Sequence, residues 1–137
     1  MTKTYTQATE DYLKAIYAAQ GEAGEVVTTC ALAGQLGLAP ASVTNMLKRM
    51  AKEALVHYHS YHGVRLTEMG QQMAQQVIRR HCLVERYLVE ALGLPPDQAH
   101  AQAESWEHVL SEDLAGRMEA VLGYPQFNLD DVSVMAH

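Results

Sequence analysis

The stretch from Thr28 to Thr67 constrains the fold more tightly than any other part of this chain. Thr28 or Thr29 can cap a short helix through Leu36, because a threonine hydroxyl accepts from a backbone N–H that the first helical turn leaves unpaired. Gly37 follows where a left-handed backbone commonly ends a helix. Gly37-Leu38-Ala39 supplies the small residues that the corner of a helix-turn-helix wants. Pro40 suits the first turn of the next helix, where its preset φ fits and its missing N–H removes no bond. That helix is expected to run to about Glu53, with Val43, Met46, Leu47 and Met50 facing inward. Two short runs, Leu55–His59 and Gly63–Thr67, then read as strands around a turn at Ser60-Tyr61-His62. Helix, turn, helix and two-stranded ribbon is the order of a winged helix-turn-helix.

The flanks read as helices. Ala8, Tyr12, Ile16 and Ala19 share one face of a segment over 7–20, with Leu13 and Tyr17 beside them. Thr67 can cap a long helix over 68–91, ended by Gly93 and Pro95-Pro96. A further helix is expected over 97–109. Ser111, followed by Glu112 and Asp113, caps a last one to about Leu122. The expected fold is mainly α: a winged helix-turn-helix over 1–70, an α-helical dimerisation domain over 71–123, and a loose tail over 124–137.

With 137 residues and 48% of them hydrophobic, the chain can bury an ordered core. Cys30 and Cys82 lie far apart and form no C-x-x-C pair, which fits a reducing compartment. The first residues are polar and hold no apolar signal core. No run approaches the roughly 20 apolar residues of a membrane span. A cytoplasmic protein without membrane contact is expected.

Charge is distributed unevenly. Residues 1–70 balance their acids and bases, and residues 71–137 carry the whole net charge of −6. Binding to double-stranded DNA therefore rests on a local surface, since nucleic-acid binders need a basic patch. The helix from Pro40 offers one. Ala41, Ser42, Thr44, Asn45, Lys48 and Arg49 face outward, and such residues reach base edges or phosphates. Thr29 is a further candidate DNA contact, and the ribbon with His57, His59, His62 and Arg65 is expected to reach backbone phosphates. Few positive charges mean modest non-specific affinity, so a homodimer on paired half-sites is expected.

A second constellation lies at Glu104-Ser105-Trp106-Glu107-His108. On a helix, positions three and four apart share a face, so two carboxylates and an imidazole converge. Oxygen and nitrogen donors without thiolate suit a hard or borderline divalent ion such as Mn²⁺ or Fe²⁺. The same spacing is also that of a solvated charge stripe beside a surface histidine. His81 and Glu85 stand at i, i+4, and His100 is one turn before Glu104. If the two helices pack, His81, Glu85 and His100 meet in another site.

Five segments in order carry a resemblance that runs from about Thr9 to Leu122: Thr9-Glu10-Asp11-Tyr12-Leu13-Lys14-Ala15-Ile16-Tyr17, Ala41-Ser42-Val43-Thr44, Leu66-Thr67-Glu68-Met69-Gly70, His81-Cys82-Leu83-Val84-Glu85-Arg86 and Ala103-Glu104-Ser105-Trp106-Glu107-His108. The chain resembles the diphtheria toxin repressor family of metal-dependent transcription regulators, most of all its manganese transport regulators. The resemblance implies a primary site from Asp11, Glu104, Glu107 and His108, with a backbone carbonyl near Glu104. It implies an ancillary site from His81, Glu85 and His100. Iron-responsive relatives tend to carry Met and Cys where this chain has Asp11 and Glu104, and carboxylate in place of sulfur favours Mn²⁺.

Three departures qualify that picture. Manganese regulators commonly have Glu where Lys14 stands, and a cation there opposes a second ion beside the first. Any second ion is then expected apart, at His81, Glu85 and His100. No counterpart of the SH3-like domain of longer relatives is expected, and residues after Gln126 follow no family pattern. The implied function is a Mn²⁺-responsive repressor of metal-uptake genes, with Fe²⁺ as the alternative and other divalent metals as substitutes. Metal bound from both lobes would select the arrangement that sets two recognition helices about 34–36 Å apart. A winged-helix regulator sensing an organic ligand is a further alternative. An enzyme is not expected. Three ligands and an open position can activate water, yet Glu107 and His108 are adjacent and form no H-E-x-x-H.

Overall fold

The computed structural model describes residues 5–123; the tail expected over 124–137 lies outside the described residues. The described residues form six helices and one antiparallel two-stranded sheet. They divide into two compact units, one up to Ala74 and one from Gln75 on. None of the described helices is long and apolar enough to cross a membrane.

In the first unit, α1 (Gln7–Gln20) starts where the Thr6 hydroxyl accepts from the Thr9 N–H. It buries Thr9, Tyr12, Leu13, Ile16 and Gln20. Ala8 and Ala19, expected on the inner face, are exposed. Tyr12 and Leu13 carry far more apolar area, so their side of the helix turns inward. Thr28 is the residue that caps α2 (Thr29–Leu36), through the Ala31 N–H at 3.1 Å, and Gly37 ends it at φ 68°. In α3 (Pro40–Lys52), Pro40 opens the helix and Val43, Leu47 and Met50 are buried on one face.

The ribbon pairs β1 (Val56–His59) with β2 (Gly63–Leu66) in the register Val56–Leu66, His57–Arg65, Tyr58–Val64 and His59–Gly63. Sequence patterning missed its third member. Val27 exchanges two 2.8 Å backbone hydrogen bonds with Val64 and forms a one-residue bridge. A single residue has no alternation to read. Gly63 allows this approach: at φ 116°, a Cβ there would lie 2.4 Å from the Val27 oxygen. The buried Gln20 side chain accepts from the Leu66 N–H at 3.2 Å, so a polar group inside the unit is paired. The core joins Leu13, Ile16, Leu32, Leu47, Met50, Leu55 and Val64.

α4 (Glu68–Glu90) begins at Thr67, whose hydroxyl donates to the Ala54 carbonyl at 2.7 Å and accepts from the Gly70 N–H. The division between the units falls within this helix. In the second unit, Leu83, Val84 and Leu88 of α4 form a core with Ala99 and Ala103 of α5 (Pro96–Trp106), Leu110, and Met118 of α6 (Glu112–Val121). Ser111 caps α6 through the Leu114 N–H.

Candidate metal centre and nucleic-acid interface

Burying Val43, Leu47 and Met50 turns the opposite side of α3 outward. Ala41, Ser42, Asn45, Lys48 and Arg49 are exposed there, and Thr44 is half-buried. This is the face that the sequence nominates for DNA, and its chemistry is polar with two cations. Arg49 Nη2 donates to Met46 Sδ at 3.1 Å, a weak bond that leaves the guanidinium able to take a phosphate. Thr29 is half-buried as the first residue of α2, and Arg65 is exposed on β2. Asp11 is half-buried on α1 of the same unit.

The other six nominated metal ligands all belong to the second unit. α4 presents His81 and, one turn later, Glu85. α5 presents His100 and, one turn later, Glu104. Glu107 and His108 follow its last residue. The helix expected over 97–109 thus stops at Trp106. Glu107 keeps helical dihedrals and its N–H donates to the Ala103 carbonyl, while the chain then tightens into a turn closed by the Val109 N–H on the Trp106 carbonyl. Helix ends commonly tighten in this way. Glu104 and Glu107 keep their helical spacing, whereas His108 is aimed by the turn.

His81 is the centre of the arrangement. Its side chain is fully buried, and its two ring nitrogens serve different partners. Nδ1 lies 2.5 Å from Glu107 Oε2. Nε2 lies 2.9 Å from Glu85 Oε2 and 3.3 Å from His100 Nδ1. The rings of His81 and His100 meet edge to face at 4.8 Å. Glu104 Oε1 is 3.4 Å from His100 Nε2 and 4.0 Å from His81 Nδ1. Glu107 Oε1 is 3.2 Å from His108 Nε2. Glu107 therefore lies between His81, to which it is hydrogen-bonded, and His108, while Glu104 reaches back one turn to His100.

The donor set is chemically consistent. His81, His100 and Glu104 each offer a ligand atom within 4.8 Å of the others. An imidazole whose Nδ1–H serves Glu107 presents Nε2 as the basic side, toward Glu85 and His100. A carboxylate behind a histidine orients the ring and raises its basicity as a ligand. Oxygen and nitrogen donors of this kind fit Mn²⁺ or Fe²⁺. The His81–Glu107 bond joins residues of the two sets that the resemblance keeps apart. Its partners stand 26 positions apart, a separation at which spacing carries no signal.

Comparison with known proteins extends these observations. Residues 4–64 match the family model described as the iron dependent repressor N-terminal DNA binding domain. Residues 67–131 match the iron dependent repressor metal binding and dimerisation domain. The chain is 38% identical over 117 residues to the iron-dependent repressor IdeR of Mycobacterium tuberculosis, covering 85% of this chain and 50% of that protein. It is 36% identical over 114 residues to the HTH-type transcriptional regulator MJ0568 of Methanocaldococcus jannaschii, covering 83% and 91%. A solved manganese-dependent transcriptional repressor in complex with manganese superposes with a TM-score of 0.77 at 36% identity, covering 88% of this chain and 55% of that one. The chain thus spans about half the length of IdeR and of that manganese-dependent repressor.

Proposed function

This chain belongs to the iron-dependent repressor family, the family of the diphtheria toxin repressor, and on that premise we propose that it is a Mn²⁺-responsive, DNA-binding repressor of metal-uptake genes that acts as a homodimer. The observation that carries the metal reading is the cluster around His81. A buried imidazole with one carboxylate on its Nδ1, and a second carboxylate and a second imidazole on its Nε2, gathers at one point the oxygen and nitrogen donors that a divalent ion takes. Glu104, Glu107 and His108 are proposed as primary ligands, with Asp11 added by the family resemblance. His81, Glu85 and His100 are proposed as the ancillary set. The ion would supply positive charge among carboxylates that otherwise repel one another. Lys14 in place of an acid favours a single ion at the primary set.

The exposed face of α3 supports the DNA reading, with Asn45 and Ser42 suited to base edges and Lys48 and Arg49 to phosphates. Exposed Trp106, Val109 and Leu114 in the second unit support self-association, since apolar side chains of this size gain by leaving water. Iron remains the second reading, because the IdeR relatives are iron-dependent repressors. The deciding experiment selects duplexes from a random pool with Mn²⁺ present and with a chelator present. Enrichment of one sequence with Mn²⁺ alone is expected, and equal enrichment in both would sink the proposal. Anaerobic competition between Mn²⁺ and Fe²⁺ separates the two metals.

A further inference from the structure

The ribbon carries chemistry that a metal switch does not use. Between Val56 and Leu66 it holds three histidines, one arginine and no acid. Alternate residues of a strand share a face. Val56, Val64 and Leu66 are buried and Tyr58 is half-buried, whereas His57, His59 and Arg65 are exposed on the other side. His57 and Arg65 are directly opposed in register. His62 and the fully exposed Tyr61 occupy the turn, closed by the His62 N–H on the His59 carbonyl at 3.1 Å. With neutral imidazoles this ribbon has one positive charge; with all three protonated it has four.

Few other groups bear on that face. β1 packs against α3 and β2, and β2 against α1. α3 brings the exposed cations Lys48, Arg49 and Lys52, with half-buried Glu53 just past its end. α1 brings buried Glu10 and half-buried Asp11 and Lys14, and exposed Glu25 precedes the Val27 bridge. Glu10, Asp11, Lys14 and Glu53 have interactions of their own.

We propose that the outward face of this ribbon is a proton-dependent phosphate-binding surface, on which His57, His59 and His62 take up protons as they meet the DNA backbone. The proposal rests on the DNA-binding reading above and adds a second input to it. Histidine ordinarily changes charge between about pH 5 and 8. In the free chain, a protonated His57 opposes Arg65 directly, and like charges across a ribbon are unfavourable. A phosphate lying against both offsets that repulsion. Protonation is then more favourable in the complex than in the free chain. By linkage, affinity for duplex rises as pH falls through the histidine range. Each added cation on a phosphate also steepens the salt dependence, by about 0.9 in the log–log slope. Because residues 1–70 balance at zero with Arg65 counted and the imidazoles neutral, the protonated ribbon weighs heavily in that slope.

The test uses the full chain at saturating Mn²⁺ and a mixed-sequence duplex of about 30 base pairs, long enough for two half-sites. Fluorescence anisotropy gives affinity against salt at about pH 6 and about pH 8. The comparison variant is His57→Gln/His59→Gln/His62→Gln, which keeps every proposed metal ligand. At the lower pH the unaltered chain is expected to bind roughly tenfold tighter than the variant, with a steeper slope; at the higher pH the two should coincide. His59→Lys/His62→Lys should restore the steep slope at the higher pH. An equal pH response in the chain and its glutamine variant would overturn the proposal, because the response would then belong to the metal ligands. Duplex binding without any pH response overturns it too and leaves the DNA reading standing. No duplex binding at either pH overturns both.

Discussion

His81 Nδ1 lies 2.5 Å from Glu107 Oε2, which joins the middle of α4 to the residue that follows α5, and neither side chain reaches solvent. The bond ties the packing of the second unit to the orientation of an imidazole whose other nitrogen faces Glu85 and His100. Structure and proposed metal response therefore share one contact.

Glu107→Ala leaves a buried imidazole without its carboxylate. Breaking a buried pair from one side commonly costs about 3–5 kcal/mol. A cost near the lower end is expected, read as a loss of denaturation midpoint without metal. Mn²⁺ affinity measured by titration calorimetry should fall by a factor of ten or more, because Glu107 is both a proposed ligand and the carboxylate that orients His81. Unchanged stability and unchanged affinity would rule out this role for the bond.

Glu104 is the more accessible carboxylate, with a side chain 42% exposed, and it touches His100. Glu104→Cys places a soft thiolate among the donors with little demand on the core. The ratio of Zn²⁺ or Cd²⁺ affinity to Mn²⁺ affinity should rise by at least about tenfold, since thiolate ligands select softer ions. A ratio that stays constant in competition titrations would remove Glu104 from the proposed ligands.

Gly70 sits in the first turn of α4, and a Cβ there would fall 2.0 Å from the Leu55 carbonyl oxygen. That oxygen accepts from the Thr67 N–H and so is held in place. Gly70→Ala must displace backbone at the junction of ribbon and helix. A loss of about 1–3 kcal/mol is expected from overpacking, measured by urea denaturation. Exposed Gly116, with open space around its Cβ direction, is the control, and Gly116→Ala should be neutral or stabilising because α6 gains a better helix former.

Burial raises the Tyr12 hydroxyl above its ordinary pKa of 10.0, because the phenolate would lose its water. The folded chain therefore holds this proton more tightly than the unfolded one. The contribution to stability is complete below pH 10 and is lost as pH rises through the folded-state value. Tyr12→Phe should flatten the decline of the urea midpoint on the alkaline side. An equally steep decline in Tyr12→Phe would assign it to other groups.

Much of the first unit was legible in order and spacing. Gly37 and Pro40 bracket the helix-turn-helix corner because each has a backbone preference that few other conformations satisfy. Val43, Leu47 and Met50 declared the buried face of α3, and with it the exposed Asn45, Lys48 and Arg49. The alternation around Tyr58 and Val64 declared the ribbon. Two of its supports were invisible: the one-residue bridge at Val27 and the bond from Leu66 to Gln20. Both join residues distant in the chain, and neither leaves a local period.

The candidate site divides along the same line. Donor chemistry is a property of residue types, so Glu85, His100, Glu104, Glu107 and His108 could be nominated by inspection, and their helical spacings followed from 3.6 residues per turn. Which donor meets which is a property of packing. Sequence spacing put Glu104, Glu107 and His108 on one helical face. Glu104 meets His100 one turn back within α5, as helical spacing allows, but the end of α5 at Trp106 takes His108 off that face, and packing puts Glu107 between His81 and His108. The sequence by itself determined the elements, their buried faces and the kinds of ligand on offer, because periodicity and capping act within a turn or two of chain. Only the tertiary structure decided that His81 is the fully buried hub of the cluster, because that follows from how α4 and α5 close on a shared core of Leu83, Val84, Ala99 and Ala103.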